Sequence, residues 1–367
     1  MTTERKRGVS ASKAKRTRID QPDSAVTPQL RGKNATINDI ARLAGVSKKT
    51  ISRVINQSPF VHEETRQRVN DIIKQTGYAP NPQARALAFR KSFLIGLIYD
   101  NPNAEFVVNM QYGALDALRG SSFELIVHPC DRRSPDFISS VQQFVERQKL
   151  HGVILLPPIS ENAALLKMLE QVECPHVSLA CVRIEEATHR VVSGDRDACA
   201  EAALHLATLG HKRIAVITGP EGHRSTQERL SGFTDALRKR GIEVPPELIV
   251  GGGYTFESGV QAAEMLLSVR QRPTAIFASN DEMAAGVYQT AHRLGISIPG
   301  QLSVVGFDDS PIASRIWPPL TTIRLPIRLM ARLGATQLMQ PADSRSGQDA
   351  FVVPHLVTRN STQAPPA

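Results

Sequence analysis

One stretch, TINDIARLAGVSKKTISRVIN at positions 36–56, constrains this chain more than any other, because it specifies two short helices joined by a tight turn. Thr36 caps the first helix, and Asp39 three residues on completes a capping box whose carboxylate also sits at the positive end of the helix dipole. Ile40, Leu43 and Ala44 fall at i, i+3 and i+4, one apolar face. Gly45 supplies the backbone freedom that the turn needs, and Ser47 caps a second helix in which Ile51, Val54 and Ile55 point inward. The pattern is a helix-turn-helix.

The outer face of the second helix is left with Lys48, Lys49, Thr50, Ser52, Arg53 and Asn56, all hydrogen-bonding and three of them cationic. Lys and Arg donate to guanine edges in a major groove, while hydroxyls and amides reach phosphates. The competing reading is the solvated face of an ordinary helical hairpin. The continuation argues against it. Positions 63–76 form a third helix with Val69, Ile72 and Ile73 inward, residues 78–82 break it, and Gln83 to Ala88 are good helix formers.

At these residues the chain resembles the lactose/galactose repressor (LacI/GalR) family of bacterial transcription regulators. The match is dense and ungapped through Thr36, Asp39, Ile40, Ala44 to Ser47, Thr50, Ser52 to Val54, Asn56, Thr65-Arg66, Tyr78, Pro80-Asn81, Ala84 and Leu87. The resemblance implies base contacts from Lys48, Lys49 and Arg53 and phosphate contacts from Thr50, Ser52, Asn56 and Thr65. Thr36, Ser47, Asn81 and Ala84 complete the implied DNA-contacting set. It also implies a hinge helix over 84–88, with Leu87 wedged into a minor-groove step. His62 departs from the Ser that the family uses to cap its third helix, a substitution worth about 1 kcal/mol.

Charge agrees with this division. Residues 1–90 carry 18 Lys and Arg against 7 Asp and Glu, and the rest of the chain carries 26 against 28, out of totals of 44 and 35. The positive charge therefore belongs to the amino-terminal part, where counterion release at phosphates uses it. Residues 1–33 are basic, Ser/Thr-rich and free of any apolar run, so they read as a disordered tail and neither a secretory signal nor a membrane span. Their basic clusters add nonspecific DNA affinity or are merely solvated. No segment has the roughly 20 apolar residues of a membrane helix. Cys130, Cys174, Cys181 and Cys199 lack C-x-x-C spacing and partner histidines, so they read as reduced thiols, several buried.

From Lys91 onward, short apolar runs alternate with helical patterns. Strands are predicted at 93–98, 123–128, 152–156, 177–180, 213–218, 275–279, 302–307 and finally 351–357, with helices at 107–118, 135–147, 197–209, 229–240, 258–269 and 281–294. This rhythm implies parallel sheets covered by helices. The expected fold class is thus an all-α three-helix head with a hinge helix, followed by an α/β core. The resemblance makes that core two-lobed and similar to periplasmic binding proteins, with a ligand cleft between the lobes. Expected boundaries are a basic tail at 1–33, a head at 34–80, a hinge and linker at 81–91, a core at 92–358 and a disordered end at 359–367.

The resemblance persists through Leu209 to Ala215, Gly219-Pro220, Ala278 to Asp281, Val304 to Asp309 and Pro318 to Ile323. It implies that Arg229, Asn280 and Asp308 contact an effector, a set of donors and acceptors suited to the hydroxyls of a sugar. Phe106 and Tyr254 stand where the family stacks a ring on its ligand. Asp100, Asn101 and Asn103, in a polar loop after the first strand, are further cleft candidates. For Asp308 and Asn280 the alternative is helix capping, and for Phe106 it is core packing. Leu325 replaces the amide with which the lactose-binding member touches its sugar, so that specificity does not carry over.

No P-loop, G-x-G-x-x-G, G-x-S-x-G elbow or H-E-x-x-H is present, and no cofactor or metal is expected. The chain reads as a cytoplasmic, nucleoid-associated, sequence-specific repressor that binds a palindromic operator as a homodimer under control of a small molecule, a sugar by first choice. The rivals are a sugar kinase-like enzyme with an accessory head, a periplasmic sugar-binding protein, and a nucleobase-responsive corepressed regulator. The absence of a terminal leucine heptad points to dimers and not tetramers.

Overall fold

The capping residues at 36 and 47 and the glycine between them set the geometry of the amino-terminal unit. In the computed structural model, which describes residues 35–55, 58, 60–78, 92–182, 189–341 and 349–366, Thr36 and Asp39 close a reciprocal capping box at the start of α1 (Ile37–Ala44). The Thr36 backbone N–H donates to Asp39 Oδ2 at 3.0 Å, and the hydrogen bonds from Thr36 hold the Asp39 carboxyl below its usual range. Gly45 ends the helix at φ 63°, a left-handed conformation that glycine adopts without penalty. Ser47 Oγ then accepts the Thr50 N–H at 3.1 Å and starts α2 (Lys48–Ile55).

The third helix, α3 (Glu63–Thr76), begins at His62 with no side-chain cap. Arg66 compensates by reaching back to the Ser58 carbonyl at 2.8 Å and to Glu63, tying the loop before α3 to its first turn. Ile40, Ala44, Ile51, Val54, Val61 and Val69 form the small core. Leu43, expected inside, is 39 % exposed, because α1 is only eight residues long and its buried stripe is completed by Ala41.

The described residues from 92 onward form a separate compact unit of two six-stranded sheets. In chain order its elements are β1 (Leu94–Tyr99), α4 (Ala104–Leu118), β2 (Glu124–Pro129), α5 (Phe137–Gln148), β3 (Gly152–Leu155), α6 (Ala163–Gln171), β4 (His176–Ala180) and β5 (Arg190–Ser193). There follow α7 (Asp195–Thr208), β6 (Ile214–Thr218), α8 (Arg224–Arg238), β7 (Ile249–Gly251), α9 (Phe256–Ser268), β8 (Ala275–Ala278), α10 (Asp281–Arg293) and β9 (Ser303–Asp308). The unit closes with α11 (Pro311–Arg315), β10 (Thr321–Arg324), α12 (Ile327–Met339), β11 (Ala350–Val352) and β12 (His355–Val357).

The first sheet has strand order β11-β5-β4-β3-β1-β2 and is parallel throughout. The second has order β12-β10-β9-β8-β6-β7 and is parallel except where β12 runs against β10. Their central strands are continuous apolar runs, as burial on both faces requires. Among the described residues the chain passes between lobes near Gly194, at Leu325-Pro326 and at Val353-Pro354.

Two expectations are corrected here. The single last strand at 351–357 is two strands in two sheets, divided at Pro354, whose missing N–H ends a ladder. The carboxyl end beyond 358 is not a disordered tail, since Ser361 is fully buried, donates to the Val304 carbonyl at 2.6 Å and accepts the Thr321 N–H at 2.7 Å. The tail residues 1–33 and the hinge at 81–91 lie outside the described residues.

Candidate functional sites

The outer face of α2 carries a row of cations. Lys48, Lys49 and Arg53 are exposed, and among the described residues their side chains make no hydrogen bond or ion pair. Thr50 is turned toward its own cap, 2.9 Å from Ser47 Oγ. Ser52 and Thr65 are half-buried on α2 and α3. Asn56, Asn81, Ala84 and Leu87 lie outside the described residues.

The second site forms where the carboxyl ends of strands from both lobes meet, the usual place for ligands in open α/β sheets. Asn101, Asn103 and Phe106 from the β1–α4 segment face Arg229, Tyr254, Asn280 and Asp308 from the second lobe around a cavity of about 60 Å³. Asp100 is not on this cavity. Its carboxylate holds Arg132, accepting the backbone N–H at 3.3 Å and pairing with Nε at 3.4 Å. Arg132 reaches across to His223 of the second lobe at 3.2 Å, a bridge over the cleft mouth. Burial, and then the Arg132 charge, push His223 down to about 4, so the ring is neutral at physiological pH.

Arg229 sits in the second turn of α8 and is buried. Its Nε donates to Asp195 Oδ2 at 2.8 Å, one terminal nitrogen donates to the Ser279 carbonyl at 2.7 Å, and the guanidinium lies 3.5 Å over the Phe307 ring. Burial is the largest single influence and opposes its charge, but Asp195 together with Tyr254, Asp308 and Cys199 outweighs it, and the arginine stays protonated. Asp195 also accepts the Ser193 hydroxyl.

Asn280 is the N-cap of α10. Its Oδ1 accepts the Met283 N–H at 2.9 Å and its Nδ2 donates to the Tyr254 carbonyl at 2.9 Å, so this amide lines the cavity while fixing the backbone. Tyr254 stands at φ 62° with its ring against Gly219, where a Cβ would come within 2.3 Å of the ring. That contact explains the glycine at the end of β6.

Asp308 differs from its neighbours. It is 9 % exposed, its backbone is left-handed at φ 108°, and its carboxylate has no hydrogen-bond partner among the described residues. It does not cap a helix. Burial raises its carboxyl to about 7 against the opposing pull of Arg229. The adjacent Asp309 is instead fully engaged, with Arg359 at 2.6 Å and Arg324 on its two oxygens.

Sequence reasoning missed Cys181, Ser193, His223, Ser225 and Met330, which also line the cavity. Ser193 ends the short strand β5, which has too few residues to show a period. His223 precedes α8, whose start at Arg224 carries no capping hydrogen bond to mark it.

Comparison with known proteins settles the lineage. Residues 36–81 match the bacterial regulatory proteins of the lacI family, and residues 203–362 match a periplasmic binding protein-like domain. The ExuR protein of Bacillus subtilis, named a probable HTH-type transcriptional repressor, is 33 % identical over 308 residues, covering 83 % of this chain and 90 % of its own. This chain belongs to the lacI family.

Two solved structures of the family frame its architecture. A lac repressor dimer bound to operator and the anti-inducer ONPF aligns with TM-score 0.75 at 27 % identity, over 90 % of this chain and all of that one. A complex of the transcriptional regulator CelR with cellobiose aligns with TM-score 0.67 at 29 % identity, over 89 % of this chain and all of that one. As a lacI-family member the chain is a DNA-binding transcriptional regulator and not an enzyme. Among the described residues no helix is long and apolar enough to cross a membrane. The four cysteines are free, with Cys174 and Cys199 buried.

Proposed function

We propose that this protein represses transcription by binding a palindromic operator as a homodimer, and that a sugar in the inter-lobe cleft changes its hold on DNA. The observation that carries the DNA-binding half is the row Lys48, Lys49 and Arg53, exposed and, among the described residues, unpaired on a helix already rigidified by its cap. Cations with no internal partner on a preorganised helix are free to read base edges and neutralise phosphates. Two-fold pairing of such heads generates the palindrome. The repressor acts in the cytoplasm, at the nucleoid. Leu87 is assigned the minor-groove wedge at the operator centre, on the strength of its place in the family pattern.

The cleft half rests on the cavity lined by Arg229, Asp308, Asn101, Asn103 and two aromatic rings, a mixture of directional polar groups and flat apolar walls that suits a hydroxylated ring. The cavity is below the roughly 300 Å³ at which ligand sites usually begin. Cavities of about 580 and 500 Å³ share its lining residues on either side, so a sugar enters by parting the lobes and drawing on that space. Such a movement couples the cleft to the DNA-binding state only as far as the ligand binds the two states differently. Induction is the default sign.

Selection of binding sites from random duplexes tests the reading. It should return a two-fold symmetric consensus, and Leu87→Ala should weaken binding to that consensus far more than to random DNA. Enrichment of no sequence, or equal loss on both DNAs, contradicts it.

A further inference from the structure

We propose that Asp100, Arg132 and Glu161 latch the cleft mouth shut until a ligand parts the lobes. They are positioning residues of the first lobe: Asp100 aims Arg132, while Arg132 and Glu161 grip the start of α8 in the second. This inference rests on the reading above in which a ligand enters by parting the lobes, and it names what must break first. Asp100, expected from the sequence to touch an effector, takes a different part. It does not line the small cavity, and its carboxylate serves Arg132.

Arg132 is oriented before it crosses the cleft. Its backbone N–H donates to Asp100 Oδ2 at 3.3 Å and its Nε lies 3.4 Å from the same oxygen, so main chain and side chain are both tied to the loop after β1. A terminal nitrogen then donates to His223 Nε2 at 3.2 Å, a residue 91 positions away in the sequence. The neutral His223 ring is free to accept there, and it stands edge-on to Tyr254 with 5.9 Å between centroids. Glu161 makes the second grip. It ends the short helical turn Ile159–Glu161 after β3, and its carboxylate accepts the Arg224 backbone N–H. Burial raises the Glu161 carboxyl, while that N–H and the charges of Arg224 and Arg132 pull it down. Since α8 has no side-chain cap at His223, its first turn has N–H groups to spare at the positive end of the helix dipole. A residue of one lobe thus caps a helix of the other.

These contacts are strong enough to bias the lobes and weak enough to release them. The side chains of Arg132 and Asp100 are 27 % and 29 % exposed, against 8 % and 1 % for Arg229 and Asp195. Water replaces the first pair's contacts when they break, whereas breaking the second strands a buried charge. The bridge also stands at a boundary. His223 and Asn101 line both the cavity of about 60 Å³ and the one of about 500 Å³, while Arg132 lines the larger. Releasing Arg132 from His223 joins the two spaces. The apparent affinity of any cleft ligand is then reduced by the fraction of molecules that remain latched. Asp131 and Arg133 belong to the same wall, where Asp131 accepts the Arg133 N–H at 2.9 Å and Arg133 adds a second positive charge near His223.

Alkylation of Cys181 by iodoacetamide, read by peptide mass spectrometry on the full-length unliganded protein, tests the latch, because this thiol lines the small cavity behind the bridge. The buried Cys174 and Cys199 report general loosening in the same spectra. Arg132→Ala should speed Cys181 alkylation about tenfold, the worth of a charge-assisted hydrogen bond, and Asp100→Asn about threefold, with Cys174 and Cys199 unmoved. Arg132→Lys, which keeps a charged donor, should restore most of the parent rate, and Arg133→Ala, which removes a charge from the same wall but leaves the bridge, should match the parent. Glu161→Gln should speed amide exchange in the first turn of α8 about threefold while its centre is unchanged. An unchanged Cys181 rate in Arg132→Ala, an equal rise in Arg133→Ala, or a rise shared by Cys174 and Cys199 overturns the latch, and unchanged exchange in Glu161→Gln removes Glu161 from it. No ligand is present in these measurements, so such a failure leaves the sugar reading standing. Operator binding that responds to no sugar, with the Cys181 results as expected, overturns the sugar reading and keeps the latch.

Discussion

The head and the core use charge in opposite ways. On α2, Lys48, Lys49 and Arg53 stand in water with no partner among the described residues, so solvent bears their hydration. In the core, Arg229 and Asp195 are out of water and hold each other at 2.8 Å, so the same side chains that shape the ligand cavity also hold the lobe together. A surface site is thus separable from stability, whereas a buried site is not. Asp308 is the exception inside the core, a buried charge that contributes to the site and opposes the fold.

The largest effect that would break this contrast comes from Arg229→Ala. Removing one partner of a buried pair leaves Asp195 uncompensated, and about 3–5 kcal/mol of stability should be lost in denaturant unfolding, together with the response of DNA binding to ligand. A variant as stable as the parent would mean that Asp195 is not desolvated as described. Next in size, Lys49→Ala or Arg53→Ala should lower operator affinity by about 1–3 kcal/mol while moving unfolding by no more than about 0.5 kcal/mol. An equal loss of stability would erase the distinction between the two regions.

The pH dependence of the cleft gives a finer test. The Asp308 carboxyl is raised by burial to about 7 in the folded chain, so its protonated form is favoured by folding. Its contribution to stability is therefore present at low pH and lost as pH rises through 7. Ligand hydroxyls donate to the ionised form, so neutral-sugar affinity should run the other way, falling up to about tenfold from pH 8 to pH 6. Asp308→Asn should flatten that profile, which separates Asp308 from Asp281, Glu282, Asp195 and Arg229 nearby. The smallest effect is Thr36→Ala, which removes the capping box and should cost about 1 kcal/mol, read by amide exchange in the head alone.

The same contrast decides what could be read from the sequence. The head was legible because its causes are local: Thr36 answers Asp39, Gly45 makes the turn, and the apolar spacing names the core. Most of the alternation of strands and helices in the core was legible for the same reason, although α8 starts at Arg224, five residues before the expected 229, and α6 and α12 were not predicted. Strands β5, β7 and β10 were not, since three or four residues show no period and take their partners from far along the chain.

The partners of Arg229 were invisible for a related reason. Asp195 and Ser279 lie 34 and 50 residues away from it in sequence, so no local pattern reveals that the guanidinium is committed. Asn280 combined both readings weighed for it, cap and cavity wall. The carboxyl end, expected to be disordered, is held by the buried Ser361 and by the Gln363 carbonyl on His211, contacts made with residues 57 to 152 positions distant.

The most direct test of the central claim follows operator binding by fluorescence anisotropy at physiological salt, with the selected palindrome and a random duplex, each with and without the neutral sugar that binds the cleft. The account predicts a preference of at least about a thousandfold for the palindrome and a change in that affinity when the sugar is added, lost in Arg229→Ala. No preference over random DNA, or a preference that the bound sugar leaves unmoved, would contradict it.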